Sequence, residues 1–256
     1  MRDSVGDILP FTQLGGIMAG VRVLALGGIP TSQASAAAIV DVTAEFISQI
    51  AYIALGLILG IAHLRASTTL APYASALLWG TALLVPGAVM FVLIQKGGSF
   101  LARKLAGMFL PAAISHTQAF AEALDALYKQ PLRLLLSTAL HLLGWIAGGV
   151  WLWLIVRVMG IPISVRSAIA MQSLLEALRS AAVFVPSSIG VQEAGYAALA
   201  PLFGVGPEVG LAASLIRRAR DVAVGVPVLL IWQAVEGRRV LTLPERRKLR
   251  SGPLES

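Results

Sequence analysis

The chain lacks the residues that several kinds of functional site require. Its 256 residues include no cysteine, which excludes disulfide bonds, thiolate metal ligands and a thiol nucleophile. Its histidines, His63, His116 and His141, are far apart, and no two have the spacing of a metal site. Charged residues make up 13% of the chain, about half of the ~25% that is usual in soluble domains. We therefore expect no metal and no cofactor, and we place the chain outside the soluble class.

What the chain has in excess is apolar sequence. Hydrophobic residues make up 57% of it, and the mean hydropathy is +0.81. A helix needs about 20 residues to cross the hydrocarbon of a bilayer. Four apolar stretches are about this long or longer: Ala36–Ala62, Tyr73–Ile94, Leu134–Met159 and Ser167–Val185. The sequence predicts an all-α, polytopic integral membrane protein with about six transmembrane or half-membrane helices.

The positive charges indicate an orientation in the membrane. The net charge is +7, and the basic residues lie mainly in residues 95–133 and in the tail, 237–256. Lys and Arg are enriched in cytoplasmic loops, so we expect both regions inside a bacterial inner membrane, with a surface helix at 112–128. Residues 1–236 would form the membrane domain. This distribution does not indicate nucleic-acid binding, and the polar start at Met1 is unlike a signal peptide.

A break in the apolar pattern follows the fourth stretch. Pro186 and Gly190 end one helix and allow another to begin near Val191, with Glu193 in its first turn. The next apolar segment, 191–203, is too short to cross without tilt, so it either crosses or is re-entrant. One interpretation is a purely structural break with a helix cap. The other is a ligand site, in which the exposed N–H groups of the new helix favour an anionic group.

Charged residues recur at helical spacing inside the apolar segments. Asp41, Glu45 and Gln49 are four residues apart, as are Arg217 and Asp221, while Gln172, Glu176 and Arg179 share a face at i, i+4 and i+7. Each charge at the bilayer centre costs roughly 2.5–3.5 kcal/mol on insertion scales. The set is either a closed structural network of ion pairs or a headgroup site. In a headgroup site, Arg would bind phosphate and the carboxylates would balance the charge or couple protons.

Two segments have the same layout. Ile8-Leu9-Pro10 precedes a glycine-rich turn that ends at Pro30, and Phe184-Val185-Pro186 precedes one that ends at Pro207. Each turn leads into a long helix that carries a pair of charges four residues apart. If segment 191–203 crosses the membrane once, counting crossings from the basic regions gives the two copies opposite orientations; if it is re-entrant, this count fails. Such an inverted repeat is used by many transporters to build a site near the midplane. Chance similarity between glycine- and proline-rich segments is the alternative.

These residues resemble the membrane region of the lysylphosphatidylglycerol synthase family, also called flippase-like. The resemblance covers nearly the whole chain and rests on Pro186, Gly190 and Glu193, on the downstream Gly204, and on Arg217 in the next helix. The segments Ile8–Gly16 and Asp41–Glu45 are similar to the branch associated with hopanoid biosynthesis. The family usually begins with further membrane helices, so we expect a truncated N-terminus.

The resemblance implies lipid handling: translocation or transport of a hopanoid-related lipid or an anionic phospholipid. The soluble aminoacyl-transferase domain of the bifunctional members should be absent, so we do not expect an enzyme. The expected site consists of Glu193 and the Pro186–Gly190 break at the headgroup, and Arg179 and Arg217 at the phosphate. Four acidic residues complete it: Asp41, Glu45, Glu176 and Asp221. A membrane-embedded headgroup transferase and a scaffold that docks lipid-biosynthesis enzymes remain alternatives.

Overall fold

The computed structural model describes residues 12–65, 114–181 and 188–250. These ranges form seven helices and no strand. The helices are α1 (Thr12–Leu26), α2 (Thr31–Arg65), α3 (Ile114–Tyr128), α4 (Pro131–Val158), α5 (Val165–Ala181), α6 (Val191–Leu199) and α7 (Pro207–Arg250); a 3₁₀ turn at Ala200–Phe203 extends α6. The predicted all-α fold is confirmed. The predicted span Tyr73–Ile94 lies outside the described residues, as do Pro10 and Pro186.

Within the described ranges, two helices are long and apolar enough to cross a membrane, Thr31–Ile61 and Pro131–Val158. They correspond to the first and third predicted spans. The fourth, Ser167–Val185, coincides with α5 from Val165 to Ala181; residues 182–185 lie outside the described part, so the full length of this span stays a prediction. Its hydropathy is lowered by the polar residues that the prediction placed on one face. The predicted helix at 112–128 is α3, although its location at the membrane surface stays a prediction.

The long helix α2 lies at the centre of the described structure and contacts α1, α3, α4 and α5. It packs on α5 at Gly56, where an added Cβ atom would clash with the Ser173 side chain. Further along α2, Gly60 faces Ala170 and Leu174. Gln49, seven residues before Gly56, contacts Ser180, seven residues after Ser173, so α2 and α5 are antiparallel. Glycine at this crossing lets the two backbones approach closely, as is usual between membrane helices.

Helical hairpins occur at both ends of the chain, α1–α2 and α6–α7. Each hairpin turns at a glycine with positive φ, +90° at Gly28 and +72° at Gly204. After these glycines, the Ile29 N–H donates to Leu24 O (3.2 Å) and the Val205 N–H to Ala200 O (3.1 Å). Both are the six-to-one hydrogen bonds of a Schellman motif, which requires the left-handed conformation that glycine adopts without strain. The two segments that the repeat hypothesis pairs therefore share a turn geometry.

The direction of α7 follows from its contacts. Gly210 lies against Tyr196 and Ala200, while Arg218 contacts Glu193, so α7 is antiparallel to α6. The short α6 is in turn antiparallel to α5: Gly195 packs on Leu175 and Leu178, whereas Phe203, beyond the end of α6, stacks on His63, near the part of α2 where Gly60 faces Ala170. Since α5 is antiparallel to α2, α2 and α7 point in opposite directions. An inverted repeat requires this relation, and the repeat itself stays a prediction.

Candidate functional site

The start of α6 is held by the carboxylate of Glu193. Gly190, with φ of +81°, is the N-cap, and Ser188 also has a positive φ, +48°. One oxygen of Glu193, Oε2, accepts the Gly190 N–H at 2.8 Å, as a helix start with an acidic residue at N3 allows. The other oxygen, Oε1, lies 2.7 Å from an Arg218 guanidinium nitrogen on α7. Glu193 therefore links the break to α7, and both of its oxygens have protein partners.

Next to this link lies a closed ring of hydrogen bonds among α5, α6 and α7. Arg217 donates to Tyr196 Oη and to Glu176 Oε1, each at 3.2 Å. Tyr196 donates to Gln172 Oε1 at 2.5 Å, and Gln172 Nε2 donates to Glu176 Oε1 at 2.6 Å. Arg179 Nη1 is 3.3 Å from both oxygens of Glu176. We call these five residues, Gln172, Glu176, Arg179, Tyr196 and Arg217, the arginine site.

The arginine site is enclosed. The side chain of Glu176 is 3% exposed, that of Arg217 13% and that of Arg179 23%. Two guanidinium groups share one carboxylate here, so the ionised groups of the site sum to +1. The Nε atoms of Arg179 and Arg217 are buried and have no hydrogen-bond partner in the described part of the chain, and the same holds for the Nε atom of Arg218 beside them. Buried donors of this kind favour an acceptor-rich anion.

Two further charges on α7, Arg220 and Asp221, pair with each other at 2.5 Å, and Arg217 pairs with Glu176. The closest ion-pair partner of Arg217 and of Asp221 is therefore not the one that the four-residue spacing predicted. The Arg220 guanidinium also lies 5.7 Å from the centre of the Trp151 ring on α4. A cation over an indole face is attracted by the ring quadrupole. Arg217, Arg218 and Arg220 thus point to three different neighbours.

On α2, the predicted carboxylates lie apart from the arginine site. Asp41 Oδ1 is 3.0 Å from His141 Nε2 on α4. Glu45 is half-buried one turn further along. Gln49, at the end of the series, donates to Ser180 Oγ at 3.0 Å, and Ser180 donates to the backbone oxygen of Glu176 at 2.8 Å. Gln49 therefore links the series to the backbone beside the arginine site through Ser180.

Three residues in these clusters were not anticipated by the sequence argument. Tyr196 lies on the same segment as Glu193, three residues later, and is 1% exposed. His141 was considered only as a metal ligand, although a titratable residue within an apolar stretch is itself a signal. Trp145 on α4 was not considered as part of a site, yet its indole Nε1 donates to Ser48 Oγ at 3.1 Å and its ring stacks on Tyr52.

Comparison with known proteins places the chain in a family. The family described as the lysylphosphatidylglycerol synthase TM region matches residues 1–228. The chain belongs to this family. It is therefore a membrane protein involved in lipid handling, and the match is to the membrane region of these synthases. No curated protein and no solved structure shows a significant similarity to it.

Proposed function

We propose that this member of the lysylphosphatidylglycerol synthase TM family binds an anionic lipid by its phosphodiester at the arginine site and moves it across the membrane. The observation that carries the proposal is the sharing of one buried carboxylate, Glu176, by Arg179 and Arg217. A phosphodiester has one negative charge, which would neutralise the remaining +1. Its oxygens would also accept the unpaired Nε donors.

The position of Arg217 supports movement across the bilayer as well as binding. It lies ten residues into α7, about 15 Å along the helix axis from Pro207. The hydrocarbon is about 30 Å thick, so a helix that starts at its boundary carries Arg217 to about the midplane. The preceding helix, α6, together with its 3₁₀ turn, has only 13 residues. A short helix beside a charged midplane site is typical of the broken elements in transporters.

The lipid class within this proposal is an anionic phospholipid. Hopanoid hydrocarbons have no phosphate for the arginine site, so the resemblance to the hopanoid-associated branch predicts a hopanoid only where it bears an anionic headgroup. Inner-membrane location, a cytoplasmic C-terminus and docking of lipid-biosynthesis enzymes stay predictions. None of them is needed for the charge argument.

The test is transbilayer movement of labelled phosphatidylglycerol in liposomes that contain the protein. We expect movement by the wild type, and a reduction of at least tenfold in Arg217→Lys, which keeps the charge but loses the planar fork. The matched control is Arg166→Gln, because Arg166 is exposed in the first turn of α5; it should behave like the wild type. Labelled phosphatidylcholine measures selectivity for the anion.

Two outcomes would overturn the proposal. The first is phosphatidylglycerol movement at the wild-type rate in folded Arg217→Lys. The second is the absence of both movement and binding in the folded wild type, which would favour the transferase or scaffold alternatives. Glu193→Gln serves as a second variant, because it weakens the link to Arg218 while leaving the ring of the arginine site in place.

A further inference from the structure

The ion pair between Glu193 and Arg218 lies beside the arginine site and is more accessible. Its two side chains are 20% and 32% exposed, whereas that of Glu176 is 3% exposed. Arg218 directly follows Arg217 in α7. On α6, the partners of these two arginines, Glu193 and Tyr196, are three residues apart and share a face. The ion pair is therefore the neighbour of the arginine site along both helices.

The guanidinium of Arg218 has donors that Glu193 does not use. One terminal nitrogen, Nη2, lies 2.7 Å from Glu193 Oε1. The Nε atom is buried and has no hydrogen-bond partner in the described ranges, and the same is true of the Nε atom of Arg217. A guanidinium presents five N–H donors in a planar fork that fits the oxygens of a phosphodiester. A phosphodiester at the arginine site would thus have a third arginine next to it, whose charge the Glu193 carboxylate neutralises in the structure.

Glu193 can release Arg218 and keep its other hydrogen bond. Its Oε2 atom accepts the Gly190 N–H at 2.8 Å in the first turn of α6. A negative charge is favoured at this end of a helix, because the unpaired N–H groups of the first turn point toward it. Glu176 differs, since it is enclosed and is shared by two guanidinium groups. Of the two carboxylates, Glu193 is therefore the one that an incoming anion displaces more easily.

From these observations we infer that Arg218 is a third arginine for the lipid phosphodiester and that Glu193 is the internal competitor that the lipid displaces from it. The inference rests on the proposed function. The guanidinium groups of Arg179, Arg217 and Arg218 and the carboxylates of Glu176 and Glu193 sum to +1. One phosphodiester therefore neutralises this enlarged site, as it does the arginine site alone.

The experiment compares the affinity of the wild type and of Glu193→Gln for phosphatidylglycerol. The protein is held in zwitterionic nanodiscs, and the anisotropy of a fluorescent short-chain phosphatidylglycerol is followed as protein is added; nanodiscs without protein give the background. Glutamine can still accept the Gly190 N–H, so the start of α6 is kept. We expect Glu193→Gln to bind about fivefold more tightly, because an ion pair of this exposure opposes binding by about that factor.

Two controls separate competition at Arg218 from a general effect of charge. Glu208→Gln makes the same change of charge at the exposed start of α7, and screening should keep its effect below about twofold. In an Arg218→Gln background the competition no longer exists, so adding Glu193→Gln should also change the affinity by less than about twofold. An equal gain from Glu193→Gln with and without Arg218 would overturn the inference, because net charge alone would then explain it.

The remaining outcomes separate this inference from the proposed function. Unchanged or weaker binding in folded Glu193→Gln, while the wild type binds, would overturn the inference and leave the proposed function standing. Absence of binding in both folded proteins would overturn the two together. Inorganic phosphate is also titrated against the bound label, and displacement at the concentrations at which unlabelled phosphatidylglycerol competes would overturn the lipid as the ligand.

Discussion

The substitution Glu176→Gln measures how much the ion pairs of the arginine site contribute to the stability of the protein. The substitution preserves shape and leaves a neutral acceptor, but it removes the only carboxylate that contacts Arg179 and Arg217 in the described structure. Breaking a buried ion pair by removing one partner costs about 3–5 kcal/mol, because the remaining charge is uncompensated. Since two guanidinium groups lose their counter-charge while an acceptor is kept, we expect a loss of about 3 kcal/mol.

The measurement is equilibrium unfolding in mixed micelles of increasing SDS content, followed by circular dichroism. Glu122→Gln makes the same chemical change on the exposed face of α3, and it should cost less than about 0.5 kcal/mol. The reasoning fails if Glu176→Gln destabilises the protein no more than this control. A double-mutant cycle with Arg217→Gln should show a coupling of at least about 1.5 kcal/mol. The reason is that Glu176→Gln leaves the charge of Arg217 uncompensated, and the double variant no longer has that charge.

A third prediction concerns the effect of the ligand on the same variant, which should be stabilising. Glu176→Gln raises the charge of the site from +1 to +2, so addition of phosphatidylglycerol should restore more stability to this variant than to the wild type. Equal stabilisation of both proteins would contradict an anion site at these arginines. Phosphatidylcholine provides the comparison in the same micelles.

Two further predictions concern packing on α2. Gly56→Ala places a Cβ against Ser173, so it should lower stability by at least about 1–2 kcal/mol in the SDS assay, and Ser173→Gly should partly restore that stability. The control is Gly144→Ala, where no described atom lies within 4 Å of the added Cβ; it should be neutral or stabilising. Equal effects of the two substitutions on stability would refute the argument. Trp145→Phe removes the indole hydrogen bond to Ser48 and should cost about 1 kcal/mol, whereas an unchanged midpoint in Trp145→Phe would show that the bond contributes nothing.

The helices were predictable from the sequence because their signals are local. Apolar length located α2 and α4, and the Gly190 break located the start of α6. Helical spacing also placed Gln172, Glu176 and Arg179 on one face, and the structure brings them together around Glu176.

The partners across helices were not predictable, because spacing defines a face but not which helix that face meets. Arg217 was paired by spacing with Asp221, yet it reaches Glu176 on α5, 41 residues away. Tyr196 and His141 were missed for the same reason. Their roles depend on how α6 and α4 are rotated about their axes, and that is set by glycine contacts such as Gly195 on Leu175.

α7 is much longer than the hydrocarbon is thick. Its 44 residues extend about 66 Å, more than twice the thickness of the hydrocarbon. Pro227 lies within it and cannot donate the helical hydrogen bond to Ala223, so α7 bends more easily there than elsewhere. A bend of about 10° at Pro227, with the first half of α7 held against α6, would displace the basic end at Arg250 by about 6 Å. The basic end can therefore move while the Arg217 guanidinium stays at Glu176.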